Sequence, residues 1–169
     1  MITYYLTLSQ VFPSTHARAG KPTNFEAAFR AGQVFNRGSE CLYRHPKLHT
    51  IRANYDFWAK RFEKIAAGEA CLSIRQWTGK PYRSKQVELA KLTREDGIGI
   101  QELHIVKEKL NSRPIWLGYV DGEQGDYKFF TNLSGNDGLS FDDWLEWFKG
   151  YDLSKPLAII HFTKFRYAK

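Results

Sequence analysis

The sequence has few cysteines and no long apolar run. Cys41 and Cys71 are its two cysteines, too few for the disulfide framework of a small secreted domain, so we expect free thiols buried as small apolar side chains. The longest apolar stretches, such as 157–160, fall far short of the roughly 20 residues that span a bilayer. The start of the chain lacks the basic and apolar regions of a signal peptide. Together these absences predict a cytoplasmic protein.

Several motifs that place a metal or a cofactor are also missing. The sequence has no His-Glu-x-x-His pair, no zinc-type cysteine pairs, no P-loop and no Gly-x-Ser-x-Gly elbow, and the Gly-Ile-Gly at 97–99 lacks the third glycine of a dinucleotide fingerprint. Pro46 separates His45 from His49, which disfavours a shared helical face for metal ligation. His161 lies in an apolar run, which favours a hydrogen-bonded core histidine. We therefore predict no metal and no cofactor.

The charge of the chain is concentrated in one segment. The net charge is +7, with an estimated pI of about 9.4. Residues 44–85 contain ten basic and three acidic side chains, a surplus equal to the net charge of the whole chain. This distribution favours an anionic partner such as nucleic acid. The lack of a long apolar run predicts no membrane partner. A chain of 169 residues with 15% aromatic residues suits one well-packed domain, 1–169.

The hydrophobic patterning predicts a mixed α+β fold. Helices are predicted from the cap at Thr23 or Asn24 through Arg30, at 55–67 after Asn54, and at 141–149 after Ser140. Strands are predicted at 2–12, 47–52, 70–77, 86–92, 103–109, 115–120 and 157–167, with a hairpin tip at 121–125 that leads into 127–131. This order indicates one α+β domain around a curved or barrel-like sheet.

The most informative run is 47–52, Lys-Leu-His-Thr-Ile-Arg. In an extended chain the side chains alternate, so Thr50 and Arg52 share a face and Lys47 enters from the turn after Pro46. An amine, a hydroxyl and a guanidinium so close together are typical of phosphate recognition or of nucleophilic chemistry. A solvated strand edge is the simpler alternative.

A second candidate site follows at 75–85. Here the basic residues Arg75, Lys80 and Arg83 interleave with Trp77 and Tyr82 around a Gly-Pro turn. Arginine and lysine can contact phosphates, and exposed aromatic faces can stack on bases. The alternative is a hairpin with a solvated basic tip and two aromatic rings packed inward, and the sequence leaves both open.

The run Lys47-x-x-Thr50-x-Arg52 resembles the signature of ASCH domains. The likeness continues through a strand pair into 98–103 and through 136–141, Asn-Asp-Gly-Leu-Ser-Phe, which leads into a helix and a final apolar strand. It covers roughly residues 24–169. The resemblance implies a PUA-like β-barrel with peripheral helices, in which 1–23 is an N-terminal extension and 54–68 is an inserted helix.

The resemblance also implies two functions. ASCH domains have been proposed to bind RNA, and one group of small bacterial members hydrolyses the amide of N4-acetylcytidine with a Lys, a Thr and an acid. These three positions fall on Lys47, Thr50 and Asp137, where those enzymes have Glu. A desolvated lysine beside Arg52 would have a lowered pKa and could activate the threonine hydroxyl, and the acid could relay a proton to the leaving amine.

Three functions follow in order of preference. The first is a module that binds RNA or a modified nucleoside in a basic cleft formed by Lys47, Thr50, Arg52, Arg75 and Lys80, with Trp77, Tyr82 and Arg83 beside it. The second is an amidohydrolase for N4-acylated cytidine-type substrates, with Thr50 as nucleophile, Lys47 as base and Asp137 as proton relay. The third is a protein-interaction domain. The sequence alone does not indicate the natural ligand, the pathway or the oligomeric state.

Overall fold

The computed structural model describes residues 1–40 and 45–167. The prediction of a buried Cys41 falls outside these ranges, as does Arg44 of the basic segment. Cys71 is free and buried, as predicted, with its Sγ 3.5 Å from Thr3 Oγ1. None of the described helices combines the length and the apolarity needed to cross a membrane.

The described chain contains eight strands and four α-helices. The strands are β1 (Ile2–Leu8), β2 (His49–Ala53), β3 (Ala70–Trp77), β4 (Gln86–Leu92), β5 (Gly99–Leu110), β6 (Arg113–Val120), β7 (Glu123–Gln124) and β8 (Leu157–His161). The helices are α1 (Phe25–Asn36), α2 (Tyr55–Ala66), α3 (Phe129–Asn136) and α4 (Phe141–Phe148), with one 3₁₀ turn at Arg94–Asp96.

The strands form two sheets. The three-stranded sheet has the order β1-β3-β4, in which β1 runs parallel to β3 and β4 antiparallel to it. The five-stranded sheet has the order β2-β8-β5-β6-β7, and its neighbouring strands are antiparallel. Strand β8 is buried at every position because β2 and β5 flank it and the core covers its faces.

The predicted PUA-like β-barrel is wrong, although the mixed α+β content is present. The described strands form two separate sheets, and no closed barrel joins them. A barrel needs a continuous backbone ladder around its circumference. Here the link between the two sheets includes a side chain, because Arg52 Nη2 of β2 donates to the Thr7 carbonyl of β1 at 2.8 Å.

Helix α2 shows how local sequence produces its element. Asn54 caps the helix by accepting a hydrogen bond from the Phe57 N–H at 3.2 Å, and Trp58, Phe62 and Ile65 form its buried stripe. The prediction of this helix is confirmed. Helix α1 runs six residues past the predicted end at Arg30, since Gly32 lies inside it.

Two other local predictions were wrong. The segment after the tip at 121–125 forms no returning strand in the predicted range; instead it turns at Asp126, whose carbonyl accepts the Phe129 N–H, and enters α3. The last strand ends at His161, six residues before the predicted end, since the following residues bond to other elements: Lys164 N donates to Asn36 Oδ1 at 2.8 Å.

Candidate functional site

The centre of the candidate site is a buried ion pair between Lys47 and Asp137. Lys47 Nζ lies 2.5 Å from Asp137 Oδ1 and 2.5 Å from the Asp137 carbonyl oxygen. The two residues are 0% and 3% exposed. Asp137 follows the last residue of α3, so the ammonium also sits at the negative end of that helix.

Backbone hydrogen bonds hold the lysine in place from both sides. The segment just before β2 passes between two helices, since Lys47 N donates to the Ala28 carbonyl of α1 at 2.8 Å and Leu48 N to the Asn136 carbonyl of α3 at 2.7 Å. The same segment pairs with the end of β8, since Phe162 N donates to the Leu48 carbonyl at 2.9 Å. The geometry of the ion pair is therefore set by three elements.

Thr50 and Arg52 lie beside this pair on β2. Arg52 Nη1 donates to Thr50 Oγ1 at 3.0 Å, and Thr50 is 3% exposed. Lys47 Nζ has its hydrogen bonds to Asp137 and, among the described contacts, none to Thr50. The threonine oxygen therefore accepts from a guanidinium and has no base within hydrogen-bond distance.

Burial dominates the electrostatics of the cluster. It lowers the pKa of Lys47 from its ordinary value, an effect that Asp137 partly offsets. It also raises the pKa of Asp137, against the opposing influence of Lys47 and Arg52. The Trp144 indole N–H also acts to lower the Asp137 pKa, although its geometry does not reach that of a regular hydrogen bond. Both shifts bring the pair closer to a neutral amine and a neutral acid.

The ring of Phe25 separates this cluster from a cavity. Lys47 Nζ lies 4.0 Å from the ring centroid of Phe25, a cation–π distance. Phe25 also lines a cavity of about 620 Å³ between the start of α1 and the ends of β1 and β3. Lys47, Thr50 and Asp137 do not themselves line that cavity.

The predicted aromatic and basic residues of 75–85 form the hairpin between β3 and β4. The rings of Trp77 and Tyr82 lie 5.3 Å apart between centroids, and Tyr82 is 90% exposed. Lys80 and Arg83 are exposed on the same tip. We define the hairpin tip as residues 77–85.

Arg75 lies on the outer face of the three-stranded sheet. Side chains alternate along β3, so Ile74 and Gln76 are buried while Arg75 and Trp77 point the other way and are partly exposed. The Arg75 guanidinium lies 4.4 Å from the Tyr5 ring centroid. The structure therefore separates the predicted residues into a buried cluster (Lys47, Thr50, Arg52, Asp137) and an exposed surface (Arg75, Trp77, Lys80, Tyr82, Arg83).

A pair of buried histidines was not part of the predicted site. His49 and His161 pack with their ring centroids 5.5 Å apart, and His49 Nε2 lies 2.8 Å from the Tyr167 hydroxyl. His161 is buried as predicted, but neither of its ring nitrogens has a hydrogen-bond partner among the described residues. No cluster of three or more metal-ligating side chains occurs in the described ranges.

No family model, no curated protein and no solved structure matches this chain.

Proposed function

We propose that this chain binds single-stranded RNA through the hairpin tip, as an ASCH-like module. The observation that carries the proposal is the Trp77–Tyr82 pair, whose rings are 5.3 Å apart. Monomeric proteins bury most large aromatic side chains, so a tyrosine that is 90% exposed is informative when it lies beside a tryptophan and two cations. Bases stack on such rings whatever their sequence.

The backbone of the tip supports this proposal. Tyr82 has a φ of 63°, in the left-handed region that costs a non-glycine residue roughly 1–2 kcal/mol. Ser84 holds the turn, because its Oγ accepts from Gly79 N at 3.0 Å and donates to the Lys80 carbonyl at 2.9 Å. The strained tyrosine is thus presented by an ordered turn, which reduces the entropy cost of binding.

The charges on the tip match a phosphate backbone. Lys80, Arg83 and Lys85 are exposed, and none has a salt-bridge partner among the described residues. Cations without acidic partners are available to displace counterions from phosphates, which makes affinity salt-dependent. An aromatic platform flanked by such cations is the usual arrangement for sequence-tolerant binding of single strands.

A salt titration tests the proposal. Anisotropy of a labelled single-stranded RNA of about 12 nucleotides should report binding that weakens steeply between about 50 and 200 mM salt. Lys80→Ala and Arg83→Ala should each reduce the logarithmic salt slope by about 0.7. Lys109→Ala, at an exposed lysine of β5 without a salt-bridge partner among the described residues, is the matched control and should leave the slope unchanged. Affinity that does not depend on salt, or absence of binding, would reject the proposal.

A second candidate, the amidohydrolase, is favoured by the contact between Lys47 and Asp137. The 2.5 Å distance places a base and an acid together, and the lowered pKa of Lys47 favours the neutral amine that a base requires. Two features count against it: Thr50 accepts from Arg52, and Phe25 covers the cluster. The substrate would have to displace Phe25 before Thr50 could attack.

Hydrolysis of N4-acetylcytidine tests this second candidate. If the cluster is catalytic, the wild-type protein should release cytidine, and Thr50→Val should abolish turnover while keeping the side-chain volume. Phe25→Ala should raise turnover by opening the path to Thr50. Absence of turnover in both the wild-type and the Phe25→Ala proteins would reject the amidohydrolase function.

A further inference from the structure

The cavity beside Phe25 has a lining rich in amides. It has a volume of about 620 Å³, within the range of roughly 300–1,000 Å³ that small-molecule sites occupy. Its lining residues are Gln10, Val11, Pro22, Asn24, Phe25, Glu26, Ala27, Arg30 and Gln76. Three of these nine, Gln10, Asn24 and Gln76, carry a side-chain amide.

The amides are not used by the protein itself. The side chains of Gln10, Asn24 and Gln76 make no hydrogen bond to any described residue, and Asn24, although it precedes α1, does not cap that helix. Gln76 is the decisive member, because it is 5% exposed and lines the cavity. The Gln76 amide atoms are not among the fully buried polar atoms without a partner, so they open onto the cavity, where water or a ligand can satisfy them.

The remaining walls favour a flat, uncharged ligand. Phe25 contributes to the apolar wall, although its ring is 5% exposed, with Lys47 Nζ 4.0 Å from its centroid and the Trp147 ring 5.5 Å away. The two charged residues of the lining neutralise each other, since Arg30 Nη2 donates to Glu26 Oε1 at 2.8 Å. A phosphate would find no free cation among the described lining residues. An aromatic heterocycle with donors and acceptors on its edge would find the side-chain amides as hydrogen-bond partners.

We propose that this cavity is a pocket for one unpaired nucleobase, whose Watson–Crick edge is bound by Gln76 and Asn24. Each amide offers both a donor and an acceptor, which is the pairing that base edges require. This inference rests on the proposed RNA-binding function and names the ligand group that the module recognises.

The position of the cavity fits the hairpin tip. Gln76 immediately precedes Trp77 in β3, and its side chain points to the opposite face of the strand. A strand of RNA that stacks on Trp77 and Tyr82 lies on the other face of the sheet, and it reaches the cavity by rounding the end of β3, one residue beyond Gln76. One splayed base can enter the cavity while its neighbours remain on the aromatic rings.

The free ribonucleosides test the pocket without the phosphates. Saturation-transfer NMR with adenosine, guanosine, cytidine and uridine should show transfer to the base protons of at least one of them. Gln76→Leu should weaken that binding about tenfold or more. Asn24→Gly should also weaken it, and glycine retains the φ of 58° found at this position. Gln124→Leu, at an exposed glutamine of β7, is the control and should have no effect.

A loss of nucleoside binding in Gln76→Leu can be distinguished from a loss of folding. Gln76→Leu replaces an amide that has no partner with an apolar group of similar size, so its melting temperature should equal or exceed that of the wild type. If no ribonucleoside binds, or if Gln76→Leu binds as well as the wild type, the pocket is rejected.

The pocket and the RNA-binding function can fail separately. Gln76→Leu should keep the salt slope of RNA binding, because the phosphate contacts lie on the hairpin tip. RNA binding without nucleoside binding would reject the pocket and keep the function. Nucleoside binding that depends on Gln76, without salt-sensitive RNA binding, would keep the pocket as a nucleoside site and reject the function.

Discussion

Lys47 Nζ contacts Asp137 through both a carboxylate oxygen and the backbone carbonyl, each at 2.5 Å and across 90 positions of sequence. The contact ties the segment before β2 to the end of α3. A buried ion pair is weak evidence for stability, since well-packed apolar residues often serve as well.

Removing either member of the pair should destabilise the protein more than removing both. Lys47→Met or Asp137→Leu leaves one uncompensated buried charge, so each should lower the free energy of unfolding by about 3–5 kcal/mol. The double variant Lys47→Met/Asp137→Leu should recover most of that loss. Urea denaturation of the wild type, the two single variants and the double variant measures the change in unfolding free energy for each variant. A double variant as unstable as the worse single variant would show that the pair itself is needed for folding.

Gly32→Ala should destabilise the protein, although alanine is the better helix former. A Cβ at Gly32 would lie 2.5 Å from the Lys47 carbonyl oxygen, which is backbone and cannot move away cheaply. We expect a loss of about 1–3 kcal/mol in place of the usual gain of about 1 kcal/mol. Gly150→Ala, where nothing lies within 4 Å, is the control and should be neutral or stabilising. A gain in stability for Gly32→Ala would contradict the close approach of α1 to Lys47.

Stability should decline in mild acid because of the two buried histidines. Burial lowers the pKa of His161 to about 3 and that of His49 well below its ordinary value. Above about pH 7.5 both histidines are neutral whether the chain is folded or unfolded, so they contribute no pH dependence, and their effect sets in as the pH falls through about 6.5, the pKa of an unfolded histidine. Below that pH the unfolded chain binds protons that the folded chain does not, and each histidine lowers the free energy of unfolding by up to about 1.4 kcal/mol per pH unit.

His161→Leu isolates one of these histidines. The slope of unfolding free energy between about pH 6 and pH 4 should fall by close to one proton, whatever the variant's stability at neutral pH. Denaturant titrations at several pH values measure it. An unchanged slope would mean that His161 takes up its proton in the folded state, contrary to its burial without a partner.

The elements with strong local signals were predictable from sequence. The cap at Asn54 and the apolar stripe of α2 lie within one segment, and the turn chemistry at 78–81 places the β3–β4 hairpin. The two-sheet arrangement was not predictable, because the parallel pairing of β1 with β3 joins segments about 68 residues apart, such as Ile2 and Ala70, without a pattern of its own. Residues 127–131 were misassigned because aromatic residues favour strands by propensity and a run of five residues is too short to show a helical period.

The candidate site also has a part that the sequence predicts and a part that only the structure shows. The run 47–52 and the basic aromatic hairpin are visible in the sequence, but their placement on different parts of the structure is a tertiary property. The resemblance suggested Asp137 as a partner of Lys47, but whether the two residues meet was left open, and no spacing rule predicts their contact. The amide residues Gln10, Asn24 and Gln76 follow no periodic pattern in the sequence. Their shared position around one cavity is visible only in the structure.

The central claim is that the exposed ring of Tyr82 stacks on RNA bases, and one comparison tests it most directly. Tyr82→Gly keeps the left-handed backbone and removes the ring, whereas Tyr127→Gly removes another tyrosine that is 88% exposed. Anisotropy titrations with one single-stranded RNA at fixed salt should show Tyr82→Gly weaker by about 5- to 150-fold, the loss of one stacked base, and Tyr127→Gly unchanged. Equal affinities for the wild type and Tyr82→Gly would contradict the account.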